Sequence, residues 1–150
     1  MTDATKTKVI LMAEDDSDDQ LLVQDALAEC RWDGELRFVE NGEDLLDYLL
    51  RHGKYRDPAT APRPGLILLD LNMPRKDGRE ALREIRADAD LRRIPVVVLT
   101  TSKADVDVGR TYDLGANSFI SKPVRFDALV NVMRVLSQYW FGIVEIPPTK

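Results

Sequence analysis

The sequence predicts an α/β protein, a parallel sheet with helices on both of its faces. Two observations carry that prediction. Short apolar runs alternate with longer amphipathic stretches, and each run is stopped by a turn or polar residue. Runs bounded in this way have the length of strands buried on both faces, as parallel strands are. Five strands alternating with five helices form a βα repeat, which folds as a parallel sheet covered on both sides.

The elements follow in order. Val9 to Ala13 stops at Glu14, Leu66 to Leu69 at Asp70, and Pro95 to Leu99 at Thr100. Phe119 and Ile120 stop at Ser121 and Lys122, and Leu36 to Val39 precedes the Asn41–Gly42 turn. Leu21, Leu22, Ala26 and Leu27 predict one face of a helix opened by Ser17, with Asp18 and Asp19 favourably placed near its N-terminus. Leu45, Leu46, Leu49 and Leu50 predict a second, closed at His52–Gly53. Ala81, Leu82 and Ile85 follow Gly78, and Val106 to Leu114 ends at Gly115. Leu129, Val132, Met133, Leu136 and Trp140 mark the last helix. Arg56 to Gly65 carries three prolines and no periodicity, and reads as a long surface loop.

A chain of 150 residues fits one domain. At this size a core can form without disulfide or metal. The net charge of −5 argues against a nucleic-acid protein held by phosphate neutralisation. Cys30 is the single cysteine and has no internal disulfide partner, which fits a reducing compartment. Met1 to Lys8 lacks an apolar signal core, and no apolar run approaches the ~18–20 residues of a membrane helix. The expectation is a soluble cytoplasmic protein with no output domain after Trp140.

Ligands of open α/β sheets bind outside the carboxyl ends of the strands. Those ends carry Glu14-Asp15-Asp16, Asp70, Thr100-Thr101 and Lys122. Glu14, Asp15 and Asp70 placed together would repel, and a hard divalent cation such as Mg²⁺ relieves that repulsion. Asp70 is then a candidate nucleophile toward a phosphoryl group, with Thr100 and Lys122 holding its oxygens. Each feature alone has a plainer reading. Five acids in the six residues Glu14 to Asp19 could be a solvated face, and an Asp after a strand is often a helix cap. Joint placement at four strand ends favours the phosphate and Mg²⁺ site.

The segments VILMAEDDSDD, LILLDLNMPRKDG, VVVLTTS and DLGANSFISKP resemble the receiver domain of two-component response regulators, over roughly residues 8–140. The resemblance implies a flavodoxin-like (βα)5 fold with strand order 2-1-3-4-5. It implies Asp70 as phosphoacceptor, charged from the phosphohistidine of a histidine kinase. Asp15 and Asp70 would ligate Mg²⁺, with the backbone carbonyl of Asn72 as third ligand and Glu14 acting mostly through water. Thr100 matches the switch hydroxyl, Lys122 the phosphoryl-gripping lysine and Phe119 the aromatic switch position. Residues 1–7 would be a leader and 141–150 a tail. Three departures stand out: Glu14 for the commoner Asp, Thr101 for a smaller residue, and Phe119 for Tyr. Asp16 adds further charge near the site.

The proline loop, the LRRIPVVVLTTS segment and the SQYWFGIVEIPP ending are more narrowly similar to single-domain regulators paired with cyanobacterial and bacterial phytochromes. That likeness implies a phytochrome histidine kinase as partner and a homodimer formed through the C-terminal end. Trp140, Phe141, Ile143 and Val144 are the candidate dimer contacts, against the plainer reading that they fold back over their own core. Cys30 and Trp32 are expected to pack, and His52 to cap a helix end. Two other functions compete. A Mg²⁺-dependent aspartyl-phosphate phosphatase would want a second Asp where Asn72 stands. A flavin carrier would want a phosphate-cradling loop where Glu14 to Asp19 lies.

Overall fold

The computed structural model describes residues 8–101 and 105–147. The expected leader, the Val106 side chain and the last three tail residues lie outside the described residues. Strands β1 (Val9–Ala13), β2 (Glu35–Val39), β3 (Leu66–Leu69), β4 (Val96–Thr100) and β5 (Ser118–Ser121) alternate with α1 (Ser17–Glu29), α2 (Gly42–Leu50), α3 (Gly78–Ala87), α4 (Asp105–Asp113) and α5 (Phe126–Gln138). The sheet order is β2-β1-β3-β4-β5, with every neighbouring pair parallel. The flavodoxin-like topology is therefore the observed one.

The pleat explains why the central strands read as unbroken apolar runs. Successive side chains point to opposite faces, and both faces are covered. Ile10, Met12, Leu66, Leu68, Val97 and Leu99 meet Val23, Ala26 and Leu27 of α1 and Leu129, Met133 and Leu136 of α5. Leu11, Ala13, Ile67, Leu69, Val96 and Val98 meet Leu45, Leu46 and Tyr48 of α2 and Ala81, Leu82 and Ile85 of α3. The edge strands β2 and β5 are only half-buried along most of their length.

Several local expectations shift. In α1 the buried side chains are Val23, Ala26 and Leu27, while Leu21 and Leu22 are 54% and 43% exposed. The i, i+3, i+4 set beginning at Val23 fixes the helix phase, which puts Leu21 on the opposite side. The cap is Asp16 rather than Ser17, its carboxylate accepting from the Asp18 and Asp19 backbone N–H groups. Helix α2 ends at Leu50, and the left-handed cap is Arg51 at φ 58°, with His52 N–H closing onto Asp47 O at 2.8 Å. Tyr48, not Leu50, fills the core on that side and donates its hydroxyl to Pro62 O at 2.7 Å. The second half of the proline segment is thereby pinned, with Ala61 and Pro64 buried, while Arg56 to Thr60 form the exposed surface loop that the sequence predicts.

The C-terminal segment winds on from α5 as a π-helical turn over Tyr139–Ile143. Trp140 and Phe141 lie half-buried against the α1/α5 core, and the Phe141 ring meets Trp32 at a 5.6 Å centroid distance. Cys30 packs beside them, its thiol donating to Leu27 O at 3.4 Å. His52 is exposed and stands 3.9 Å from Asp47. Among the described residues no helix is long and apolar enough to cross a membrane.

On the α3 side, Gly78 holds the β3 end in place. Its N–H donates to Leu71 O at 3.0 Å, and a Cβ there would lie 2.4 Å from Asp70 O. Gly78→Ala must push the β3 end or the α3 start outward. Urea unfolding should show a loss of about 1–3 kcal/mol, the usual cost of overpacking.

Candidate functional site

The sheet hydrogen-bond ladder runs one residue past the strand ends and seats the polar groups. Glu14 N–H donates to Val39 O at 2.9 Å, Asp70 N–H to Ala13 O at 3.1 Å, and Lys122 N–H to Thr100 O at 2.8 Å. Each group that ends a strand is thus fixed by the neighbouring strand. Glu14, Asp70 and Thr100 are buried, at 1%, 5% and 0% exposure, whereas Asp15 is open to solvent.

Around this floor the side chains converge. Carboxylate oxygens of Glu14, Asp15 and Asp70 lie within 4.8 Å of one another. The Lys122 ammonium lies 2.5 Å from Glu14 Oε1, 2.8 Å from Asp19 Oδ2 and 3.8 Å from Asp70 Oδ2. The Thr100 hydroxyl donates to Asp70 Oδ1 at 2.7 Å, and the Asn72 N–H approaches the same oxygen at 3.5 Å. Glu14 uses its other oxygen to accept the Asp16 N–H at 3.1 Å.

The electrostatics follow from burial. Desolvation pushes the Glu14 carboxyl up to about 7, helped by the Asp70 charge and opposed by Lys122. Burial alone would lower the Lys122 ammonium, but hydrogen bonds to Asp19 and Glu14 and the Asp70 charge outweigh it and hold it above its ordinary value. A set of three carboxylates, one exposed and two at the floor, matches what a hard divalent cation takes: a few anionic oxygens, with water in the remaining positions.

The predicted site residues Glu14, Asp15, Asp70, Thr100 and Lys122 come together, and Asn72 borders them through its N–H. Phe119 lies apart on β5, opposite Val98, packed against the α2/α3 core. Its backbone N–H donates to the Tyr112 hydroxyl at 3.2 Å, so a tyrosine on α4 engages the Phe119 backbone. The sequence reading missed Tyr112. It also passed over Asp19 as a site residue, although the acidic run Glu14 to Asp19 directly follows the β1 end. Two hollows, of about 160 and 360 Å³, open at the opposite, amino end of the sheet, away from this chemistry.

The profile of the response regulator receiver domain matches residues 10–134. The chain belongs to that family. Response regulator Rcp1 of Synechocystis is 42% identical over 140 residues, 93% of each chain. The probable methanogenesis regulatory protein FilR2 of Methanothrix harundinacea is 36% identical over 134 residues, 89% of this chain and 84% of its own. Among solved structures, the phosphorylated cyanobacterial phytochrome response regulator RcpA superposes with a TM-score of 0.87 at 40% identity, covering 95% of this chain and all of that one. Response regulator RPA3017, in red light signaling of R. palustris, gives 0.90 at 35% identity, over 95% and 99%. The Mn²⁺-bound form of Rcp1 gives 0.84 at 42%, over 94% and 99%. The receiver assignment displaces the phosphatase and flavin readings, for which neither structure nor relatives offer support.

The raised Glu14 carboxyl sets a sign. Between about pH 4.5 and 7 the folded form holds a proton that the unfolded chain has released, so this group's contribution to stability falls as pH rises across that window. A cation held beside Glu14 favours the ionised carboxylate over the protonated one. Divalent-cation affinity should therefore weaken as pH drops below 7, approaching about tenfold per unit. Calorimetric Mn²⁺ titrations at pH 6, 7 and 8 check this, and Glu14→Gln should flatten the dependence.

Proposed function

We propose that this receiver accepts a phosphoryl group on Asp70 from a histidine kinase of the phytochrome type, with Mg²⁺ held by Asp15, Asp70 and the Asn72 carbonyl. The observation that carries the reading is the convergence on Asp70 of a hydroxyl at 2.7 Å, an ammonium at 3.8 Å and two further carboxylates. Among the described residues Asp70 Oδ2 accepts no short hydrogen bond, so it is the oxygen assigned to attack. It forms the new P–O bond as the P–N bond of the phosphohistidine breaks. The bonding pair stays on the departing imidazole nitrogen, which takes up a proton.

The cation, when bound, shields the carboxylates from the incoming anion. The chain's own residues do the rest. Lys122 closes from 3.8 Å onto the transferred group, and Thr100 turns its proton from Asp70 Oδ1 to a phosphoryl oxygen. Phe119, with no hydroxyl, follows by packing, and the Tyr112 contact on its backbone gives α4 a way to feel that movement. Such a switch biases two pre-existing arrangements rather than creating one. Glu14 has both oxygens engaged, by Lys122 and by the Asp16 N–H, which supports a role through water. Slow self-hydrolysis of the acyl phosphate, rather than turnover of added esters, is the expected fate of the group.

The phytochrome-type partner is supported by likeness to RcpA, a cyanobacterial phytochrome response regulator, and to RPA3017, a response regulator in red light signaling. A homodimer through the C-terminal end is part of the same reading. Trp140 and Phe141 pack on their own core, so the contact narrows to Ile143, 71% exposed, and Val144, continued by exposed Val135 and Tyr139 on the same helical side. The cytoplasm is the compartment such a kinase would require.

Incubation with Mg²⁺ and acetyl phosphate should add one phosphoryl mass, detected by intact-protein mass spectrometry. Asp70→Asn should add none. Labelling of Asp70→Asn equal to the parent chain would sink the assignment. In transfer assays against a panel of phosphorylated kinases, a phytochrome-type kinase should be the fastest donor. Ile143→Lys should shift sedimentation from dimer toward monomer.

A further inference from the structure

The contact that the phosphoacceptor reading does not use is the one between Lys122 and Asp19. Lys122 is nearly buried, and its ammonium has three acidic neighbours. Two are within hydrogen-bond reach, Glu14 and Asp19. The third, Asp70, is 1.0 Å farther from the ammonium than Asp19 is, 3.8 Å against 2.8 Å. Glu14 is fixed from below by the sheet ladder and by the Asp16 N–H. Asp19 arrives from the side, as the third residue of α1, with its backbone N–H only weakly held by the Asp16 cap at 3.4 Å. Its carboxylate is turned to Lys122 and remains 30% exposed.

Resting on the phosphoacceptor reading, we propose that Asp19 is a positioning residue that competes with Asp70 for the Lys122 ammonium and so sets how readily the phosphoryl group is gained and kept. In the unphosphorylated chain Asp19 draws Lys122 away from Asp70. When Asp70 becomes an acyl phosphate, the ammonium moves onto the added oxygens, and Asp19, on the open side, gives it up to water. No bond is made or broken in this exchange; one ion pair replaces another. An ion pair surrendered in one state and kept in the other shifts the balance between them by its own strength. A partly exposed pair of this kind is worth about two- to tenfold.

The test compares Asp19→Asn, Asp19→Glu and Asp18→Asn with the parent chain, at fixed acetyl phosphate and Mg²⁺. Asp18 is the control: it carries the same charge one residue away and is exposed. The ratio of phosphorylated to unphosphorylated protein should rise about two- to tenfold in Asp19→Asn. It should return toward the parent value in Asp19→Glu and stay unchanged in Asp18→Asn. In a Lys122→Gln background Asp19→Asn should have no effect, because the competitor has nothing left to hold. Independently of phosphorylation, the Lys122 ammonium signal in ¹H–¹⁵N spectra should shift in Asp19→Asn and not in Asp18→Asn. Equal effects of Asp19→Asn and Asp18→Asn, or an Asp19→Asn effect that persists in Lys122→Gln, would overturn the proposal. An unmoved Lys122 signal overturns it even where the parent chain takes the phosphoryl group. A parent chain that takes none overturns the phosphoacceptor reading instead, and with it the role assigned to the contact.

Discussion

The Lys122 ammonium is the group on which this site depends. It touches Glu14 and Asp19 directly and lies 3.8 Å from Asp70. Glu14 and Asp70 are both buried, and carboxylate charges brought together in a poorly solvated floor repel. One buried cation at their centre makes the arrangement tolerable, and Glu14 still ends near 7. The cost of holding those acids together is thus offset only in part. The residual strain is what a divalent cation would relieve, so the site's appetite for metal and its uneasy resting state have one origin.

The fold exists to keep that point fixed. The ladder bonds at Glu14, Asp70 and Lys122 extend the sheet past its apolar runs, so site geometry inherits the rigidity of strands packed on both faces. The alternation of Leu11 with Ile10 and Met12, repeated in β3 and β4, buries one set under α1 and α5 and the other under α2 and α3. Gly78 lets α3 start against the Asp70 backbone, closer than any side chain would permit. The movable parts lie elsewhere: the Thr100 hydroxyl and the long Lys122 arm can each change partner without disturbing a strand.

Sequence reasoning reached the strands and their polar ends because both are local signals. A buried parallel strand must be apolar throughout, and where its ladder stops the next residue must face water or chemistry. The helix faces were harder. Leu21 and Leu22 look like core by hydrophobicity, yet the geometry of Val23, Ala26 and Leu27 against α5 decides which side turns inward. Arg51 at φ 58° closes α2 although a glycine stands two residues on, because the Schellman-type bonds to Asp47 and Tyr48 compensate the strain. The proline segment reads as surface, which holds for Arg56 to Thr60, while contacts from Tyr48 and Arg51 to Pro62 and Ala61 pin its second half. Asp19 and Tyr112 escaped notice because their roles depend on partners about a hundred residues away in one case and on a backbone N–H in the other.

Charge orders the events at the site. With Glu14 ionised, four carboxylates face one ammonium, a surplus of three negative charges where a phosphoryl group must arrive as an anion. At close range such a surplus opposes approach far more strongly in a half-buried mouth than in open water. A divalent cation would reduce it to one and so weaken, without abolishing, the field that opposes an anion at Asp70. The exposed Asp15 and the buried Asp70 would hold such a cation between them, with water in its remaining positions. On the proposed phosphoacceptor reading, a site that already holds its cation would therefore receive the phosphoryl group more readily than an empty one. Lys122 would serve that reading twice: it steadies the acids in the resting site, where it touches Glu14 and Asp19, and it would follow the negative charge outward onto a phosphoryl group on Asp70.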